Sequence, residues 1–355
     1  MMKAFSWFVL AAFLLFFSHE VYSQLDHRTI RKNNKKYMTF KGKKSNFSKE
    51  KRYFSLGFAV SALNYYGDLA PGPGRLSTDL SFTRPAFTLN YSNRLGPRYG
   101  ITAGFTYGTL RGSDFSSADE NDANNGKYRY YRNLSFRNRI KELSAVATYD
   151  LFENQATYIT RADWTPYVFA GVAVFHHNPQ AIAPATGLDG SDLAEAGEWV
   201  NLRELGTEGQ YSDQLLSTDV NYGIKPYNLI QFAIPMGVGV RFKIHDVVDF
   251  SAELGFRYLF TDYIDDVSKN YVDLGVLNSE LARALSYRSN ELTKPDIARE
   301  PLTARNGVTY NLITGYGHEY PTNMRGNKSN KDIFMVTTFR ISYIMGKTMH
   351  RAKFR

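Results

Sequence analysis

Four groups of side chains in this chain of 355 residues have types and spacing suited to chemistry. His176 and His177 are adjacent imidazoles, the commonest divalent-metal ligands, but no carboxylate cluster lies beside them, so a polar rim is expected. "GYGHEYP" sets His318 next to Glu319, a base and a carboxylate of the kind hydrolases combine. "TDYIDDVS" at 261–268 gathers Asp262, Asp265 and Asp266, for which calcium and a solvated loop start are both open. Glu142, Asp150, Arg241, Lys243, Glu253, Arg257 and Arg340 interrupt otherwise apolar, alternating stretches. The sequence has no Gly-x-Ser-x-Gly elbow, His-Glu-x-x-His pair, Walker loop or EF-hand loop, and with no cysteine it has no disulfide or thiolate metal site. The expectation is a non-enzymatic protein with no catalytic, metal or cofactor residues.

The elements that must position these charges are strands. In "YFSLGFAVSAL" at 53–63, Phe54, Leu56, Phe58 and Val60 alternate with Ser55, Gly57, Ala59 and Ser61. The same period of two recurs at 85–92, 99–109, 141–151, 167–175, 230–244, 250–260 and 333–345, giving eight segments near the ~9–11 residues a tilted strand needs to cross a bilayer. At 167–175 the large face is Tyr167, Phe169 and Phe175. No helical periodicity is sustained. The sequence therefore predicts an all-β fold: an eight-stranded antiparallel transmembrane β-barrel over residues 53–346, its large side chains facing lipid and its small ones filling a narrow bore.

The connections agree. They are long after the first, third, fifth and seventh segments, with roughly 50 residues or more both at 177–228 and in the stretch that runs to about 331, and short after the others, as in "NRLGPR" and "HDVVD". Outer-membrane barrels show this asymmetry, with long loops outside and short turns in the periplasm. By parity the seven charges point inward. Facing lipid at mid-depth an arginine would cost roughly 2–4 kcal/mol, whereas inside they can pair as a structural network.

Composition fits. Aromatic residues make up 15% of the chain although mean hydropathy is −0.38, as in a β-rich protein with polar loops. Residues 1–23 have the pattern of a cleaved secretory signal: Lys3, the apolar run Ala4–Phe17, and a small residue at Ser23. Residues 24–52 hold eleven Lys and Arg, among them Arg28, Arg31, Lys32, Lys35, Lys36, Lys41, Lys43 and Lys44, against two acids. The tail 347–355 is basic too. An even strand number puts both termini in the periplasm, where the 24–52 segment could contact an acidic partner or anionic lipid. Nucleic acid is excluded by compartment.

"NYYGDL" (64–69), "RP" (84–85), "RNLSFRNRIKELS" (132–144), "TDYIDDVS" (261–268) and "RGNKSNKD" (325–332) together resemble the DUF6089-type outer-membrane barrels of Bacteroidota. The resemblance implies a non-enzymatic barrel linked to the type IX secretion system. Such a barrel would dock onto a periplasmic ring made by a lipoprotein and its partner, of the PorK and PorN type. It brings no catalytic residues. The alternatives are a surface adhesin or receptor using the 177–228 and 262–331 loops, and a rim enzyme using His318.

Overall fold

The computed structural model describes residues 47, 51–69, 82–123, 126–293, 297–314, 322–328 and 331–346. The chain divides into Met1–Asn46, outside the described residues, and the unit Phe47–Arg355. The expected signal peptide, almost all of the basic 24–52 segment, the 347–355 tail and the His318–Glu319 pair thus lie outside the described residues.

The strands are β1 (Phe54–Tyr66), β2 (Arg84–Arg94), β3 (Tyr99–Ser113), β4 (Ser135–Asp150), β5 (Trp164–His176), β6 (Pro179–Ile182), β7 (Trp199–Asn201), β8 (Ile230–His245), β9 (Val248–Leu259), β10 (Arg299–Thr303), β11 (Thr309–Ile313) and β12 (Ile333–Met345). Eight of them close a cylinder in the order β1-β2-β3-β4-β5-β8-β9-β12, and β12 pairs back onto β1 along its whole length. Every ladder is antiparallel. The short connections 95–98, 151–163 and 246–247 gather at one end, the turn end. The long ones, 67–83, 114–134, 177–229 and 260–332, gather at the other, the loop end. Among the described residues, four short α-helices lie in those loops: α1 (Asp114–Ser117), α2 (Gly126–Arg132), α3 (Leu202–Leu205) and α4 (Glu280–Ser286). At the loop end β6 extends β4, and β7 extends β6.

The outer wall is an apolar belt. Phe58, Leu89, Ile101, Phe105, Leu143, Val172, Val238, Phe339 and Ile341 are all exposed on it. Among the described residues no helix is long and apolar enough to cross a membrane; closure of the sheet is what would satisfy a barrel's backbone in lipid. Tyrosines such as Tyr99, Tyr149 and Tyr343 border the belt at the turn end, where amphipathic rings favour the interface.

One strand departs from the expected facing. On β5 the large residues Tyr167, Phe169 and Phe175 point inward and are buried, while Val168 and Val172 face out. The reason sits on β8, whose inward face carries Gly237 and Gly239. A Cβ on Gly239 would lie 2.7 Å from the Tyr167 ring, and one on Gly237 would lie 2.7 Å from Phe169. The glycines leave the volume that the β5 rings fill.

The bore changes character along its length. From the turn end to the middle it is polar, with hydroxyl pairs directly opposed across strands: Ser61–Thr338, Thr88–Thr106 and Ser92–Thr102, each at 2.9 Å. Towards the loop end it becomes an apolar core of Leu63, Leu110, Phe136, Ile140, Phe175, Leu259 and Phe334. Two polar cavities of about 40 and 50 Å³, both bordered by Arg340, lie in the bore, room for a few waters, and a smaller one of about 10 Å³ sits at the turn end beside Arg94 and Arg161. Gly239→Val is expected to overpack the Tyr167 site and destabilise the barrel by about 1–3 kcal/mol, read as a lowered urea midpoint for loss of heat-modifiable mobility, with Val238→Leu on the lipid side near neutral.

Candidate functional site

Two charged assemblies are built by this frame: one inside the bore, one beneath the loops. In the bore, Arg257 Nε lies 3.1 Å from Glu142 Oε2, and Arg241 Nη1 lies 3.3 Å from Asp150 Oδ2. Arg340 pairs with Glu253, which also accepts from the Tyr167 hydroxyl at 2.5 Å. Six of the seven inward charges read from sequence are therefore paired with one another. Lys243 is the exception. It sits at the turn end, bonded to Asp246 in the β8–β9 turn at 2.9 Å and to the Ile159 carbonyl at 2.5 Å.

Sequence reading missed Arg94, Arg161, Asp249 and Tyr167. Arg94 shares Asp150 at 3.0 Å. Arg161 holds Asp249 at 2.6 Å and donates to the His245 carbonyl at 2.8 Å and to the Val248 carbonyl at 3.2 Å. It thereby ties the 151–163 turn to the β8–β9 hairpin across the mouth of the bore. Its place in a turn, outside any alternating segment, hid it.

The second assembly joins stretches far apart in sequence. Asp114, fully buried, takes a fork from Arg132 (Nε at 2.7 Å, Nη2 at 2.8 Å) and a bond from Arg129 at 3.2 Å. Arg132 continues to the Arg325 carbonyl at 2.5 Å and the Asp68 carbonyl at 2.6 Å. Arg325, 1% exposed, reaches Glu208 at 3.2 Å and Asp266 at 3.6 Å. Asp266 accepts from Thr207 at 2.5 Å and Tyr227 at 2.7 Å. Gly326 permits this closeness, since a Cβ there would lie 2.6 Å from both Asp68 Oδ2 and the Ser268 nitrogen.

The Tyr65 hydroxyl lies 2.7 Å from Asp265 Oδ2 and 2.7 Å from Asp332 Oδ1. A hydroxyl carries one hydrogen, so it donates to one carboxyl and accepts from the other, which must itself be protonated. The surroundings agree. Burial, then the mutual charge of their neighbours, pushes the Asp265 and Asp332 carboxyls well above the usual carboxylate range. Burial raises Asp68 and Asp266 to about 6, and Asp262 to about 8. Neither oxygen of Asp262 has a well-formed hydrogen bond, although the Ser268 hydroxyl faces it.

The aspartates of "TDYIDDVS" are thus not a solvated loop start: Asp265 and Asp266 are fully buried. Nor do they form a metal cluster, since no group of three or more His, Cys, Asp or Glu suited to a metal ion exists among the described residues. They are the floor of a cap. Above them the long loops pack their own core around Tyr271, Leu274, Tyr287, Tyr310 and Leu312, with a smaller cluster at Ala181, Leu202 and Leu285. Of the histidine pair, His176 is exposed at the end of β5. His177 is buried against Tyr227, 3.1 Å from the Asn228 carbonyl, and burial lowers its imidazole to about 4.

Arg325→Met would leave Glu208 and Asp266 buried without their shared cation, at about 3–5 kcal/mol, seen as faster amide exchange in the cap than in the belt strands. A carboxyl whose folded pKa is raised binds its proton more tightly when folded, so its contribution to stability is lost as pH climbs from the ordinary 3.8 to the folded value. His177 acts oppositely, its share being lost as pH falls from 6.5 towards 4. Between pH 6.5 and 8 the carboxyls act alone. Cap amides, corrected for intrinsic exchange, should lose protection over that range, and Asp262→Asn should blunt the loss.

No curated protein matches the sequence. Among solved structures the chain is similar to Neisserial surface protein A (8% identity, 82% of this chain and 96% of that one, TM-score 0.32). It is also similar to the outer membrane protein OprG from Pseudomonas aeruginosa (9%, 83% and 95%, TM-score 0.31) and to a major outer membrane protein from Thermus thermophilus (10%, 82% and 99%, TM-score 0.32). The fold itself, a closed antiparallel barrel of eight strands, is fixed by the strand order and the β1–β12 ladder. Residues 40–194, from ahead of β1 to beyond β6, match the family described as "Domain of unknown function (DUF6089)", the family its motifs resemble.

Proposed function

We propose that this chain is a non-enzymatic outer-membrane barrel of the type IX secretion machinery, similar to PorG, that anchors a periplasmic ring of the PorK and PorN type. The observation that carries the reading is the filled bore. Ion pairs from β9 and β8 reach across it to β4, an apolar core blocks its loop end, and Arg161 bridges elements at its turn end. A cylinder so filled is suited to holding something at the membrane and ill suited to passing solutes. The cap supports the same reading, because Asp114, Glu208 and Asp266 are engaged by Arg132 and Arg325 rather than held free for a ligand.

In this reading the turn end and both termini face the periplasm. The cations of residues 24–52 (Arg28, Arg31, Lys32, Lys35, Lys36, Lys41, Lys43 and Lys44 among them) are the contact for the ring. The loop-end cap, with its own core and exposed Leu216 and Tyr222, favours one second reading, a surface adhesin or receptor.

Deleting Gln24–Lys51 behind an intact signal is expected to leave a folded, heat-modifiable barrel that no longer co-purifies with the ring from envelope extracts. Ring proteins recovered in full with the truncated chain would refute the anchoring role. Loss of surface binding on trimming 183–226, with secretion intact, would favour the second reading.

A further inference from the structure

The outer wall of the β3–β4 ladder is asymmetric. Its outward residues in register from the turn end are Tyr99–Tyr149, Ile101–Ala147, Ala103–Ala145, Phe105–Leu143, Tyr107–Lys141, Thr109–Arg139 and Arg111–Arg137. The first four pairs are belt. From Tyr107, an interfacial residue by type, the wall turns cationic without a carboxylate: Lys141, Arg139, Arg137 and Arg111 in three successive pairs. Lys141, Arg139 and Arg111 are exposed. Arg111 and Arg137 stand directly opposite, an arrangement that costs stability unless something neutralises it. Among the described residues none of the four makes an ion pair. Arg137 is held in place, its guanidinium stacked 3.6 Å from the centre of the Trp199 ring and bonded to Gln180 Oε1 at 2.9 Å. Exposed His176 lies beside Lys141 across the β4–β5 ladder.

Spacing identifies what fits. Outward neighbours on a strand are about 6.6 Å apart and paired strands about 4.8 Å, so the four charges cover an area comparable to one lipid headgroup. They begin where the belt ends, at the depth of the headgroups bordering the loop end. Arginine forks match phosphate oxygens, and each basic residue near a phosphate layer strengthens attachment. We propose that this face of β3–β4 is a binding site for a membrane lipid whose headgroup carries two phosphates, with Arg111, Arg137, Arg139 and Lys141 as its ligands. The proposal rests on the barrel spanning a membrane and not on the secretion role; loss of ring co-purification would leave it untouched.

The test is native mass spectrometry of the full chain in detergent, with bisphosphorylated lipid A and with its dephosphorylated form. The intact chain should retain the bisphosphorylated lipid and not the other. Arg111→Gln/Arg139→Gln/Lys141→Gln should weaken retention roughly a hundredfold, while Lys225→Gln/Lys269→Gln/Lys328→Gln, with the same loss of charge on the loops, should bind like the parent. Equal retention of both lipids, or parental binding by the β3–β4 variant, would overturn the site. Should that variant fail to fold, Lys141→Glu and the charge-preserving Arg111→Lys/Arg139→Lys decide instead. Binding must fall in the first and fall less in the second, where the charge is kept and only the forks are lost; parental binding by the first would overturn the site.

Discussion

Charge enclosed in a narrow sheet cylinder has to be neutralised where it stands. Water is scarce there, and an uncompensated buried ion costs several kcal/mol. The architecture follows from meeting that constraint. Arg257 with Glu142, Arg340 with Glu253, and Asp150 shared by Arg94 and Arg241 cross from strand to strand. The positions between them are Ser, Thr and Gly, which leave space for long side chains to meet. Volume and charge are thus settled together, and the glycines of β8 and the rings of β5 show the same coupling in apolar form.

The loop end meets the constraint differently. Its strands rise beyond the belt, the bore becomes apolar, and polar groups reappear only where the loops fold back over it. There Asp114, Glu208 and Asp266 are matched by Arg132 and Arg325, while the carboxyls around Tyr65 exceed the cations available and retain protons instead. Cap and barrel share one continuous interior, since Tyr65 on β1 and Asp332 just before β12 belong to both. Cap order is therefore tied to strand closure and to pH.

How much of this was legible in the sequence depends on distance along the chain. Alternation is local, so all eight barrel strands and the facing of seven could be read, as could the inward placement of Glu142, Asp150, Glu253 and their arginines. β5 was misread because size was taken as the mark of a lipid-facing residue. Tyr167 and Phe169 are large, yet the space made for them lies on β8, about 70 residues away, and smaller Val168 and Val172 are apolar enough for lipid. The cap was illegible for the same reason. Tyr65 and Asp265 are 200 positions apart, and nothing in "TDYIDDVS" alone distinguishes a buried aspartate from a solvated one.

A filled, closed cylinder is the claim on which the rest depends, and ionic conductance tests it most directly. Purified full-length protein, folded and inserted into planar bilayers, should show no steady conductance above the bare membrane at any moderate voltage. Regular open-channel steps from the intact chain would mean that the interior holds a continuous water path, and would contradict the paired, packed bore described above.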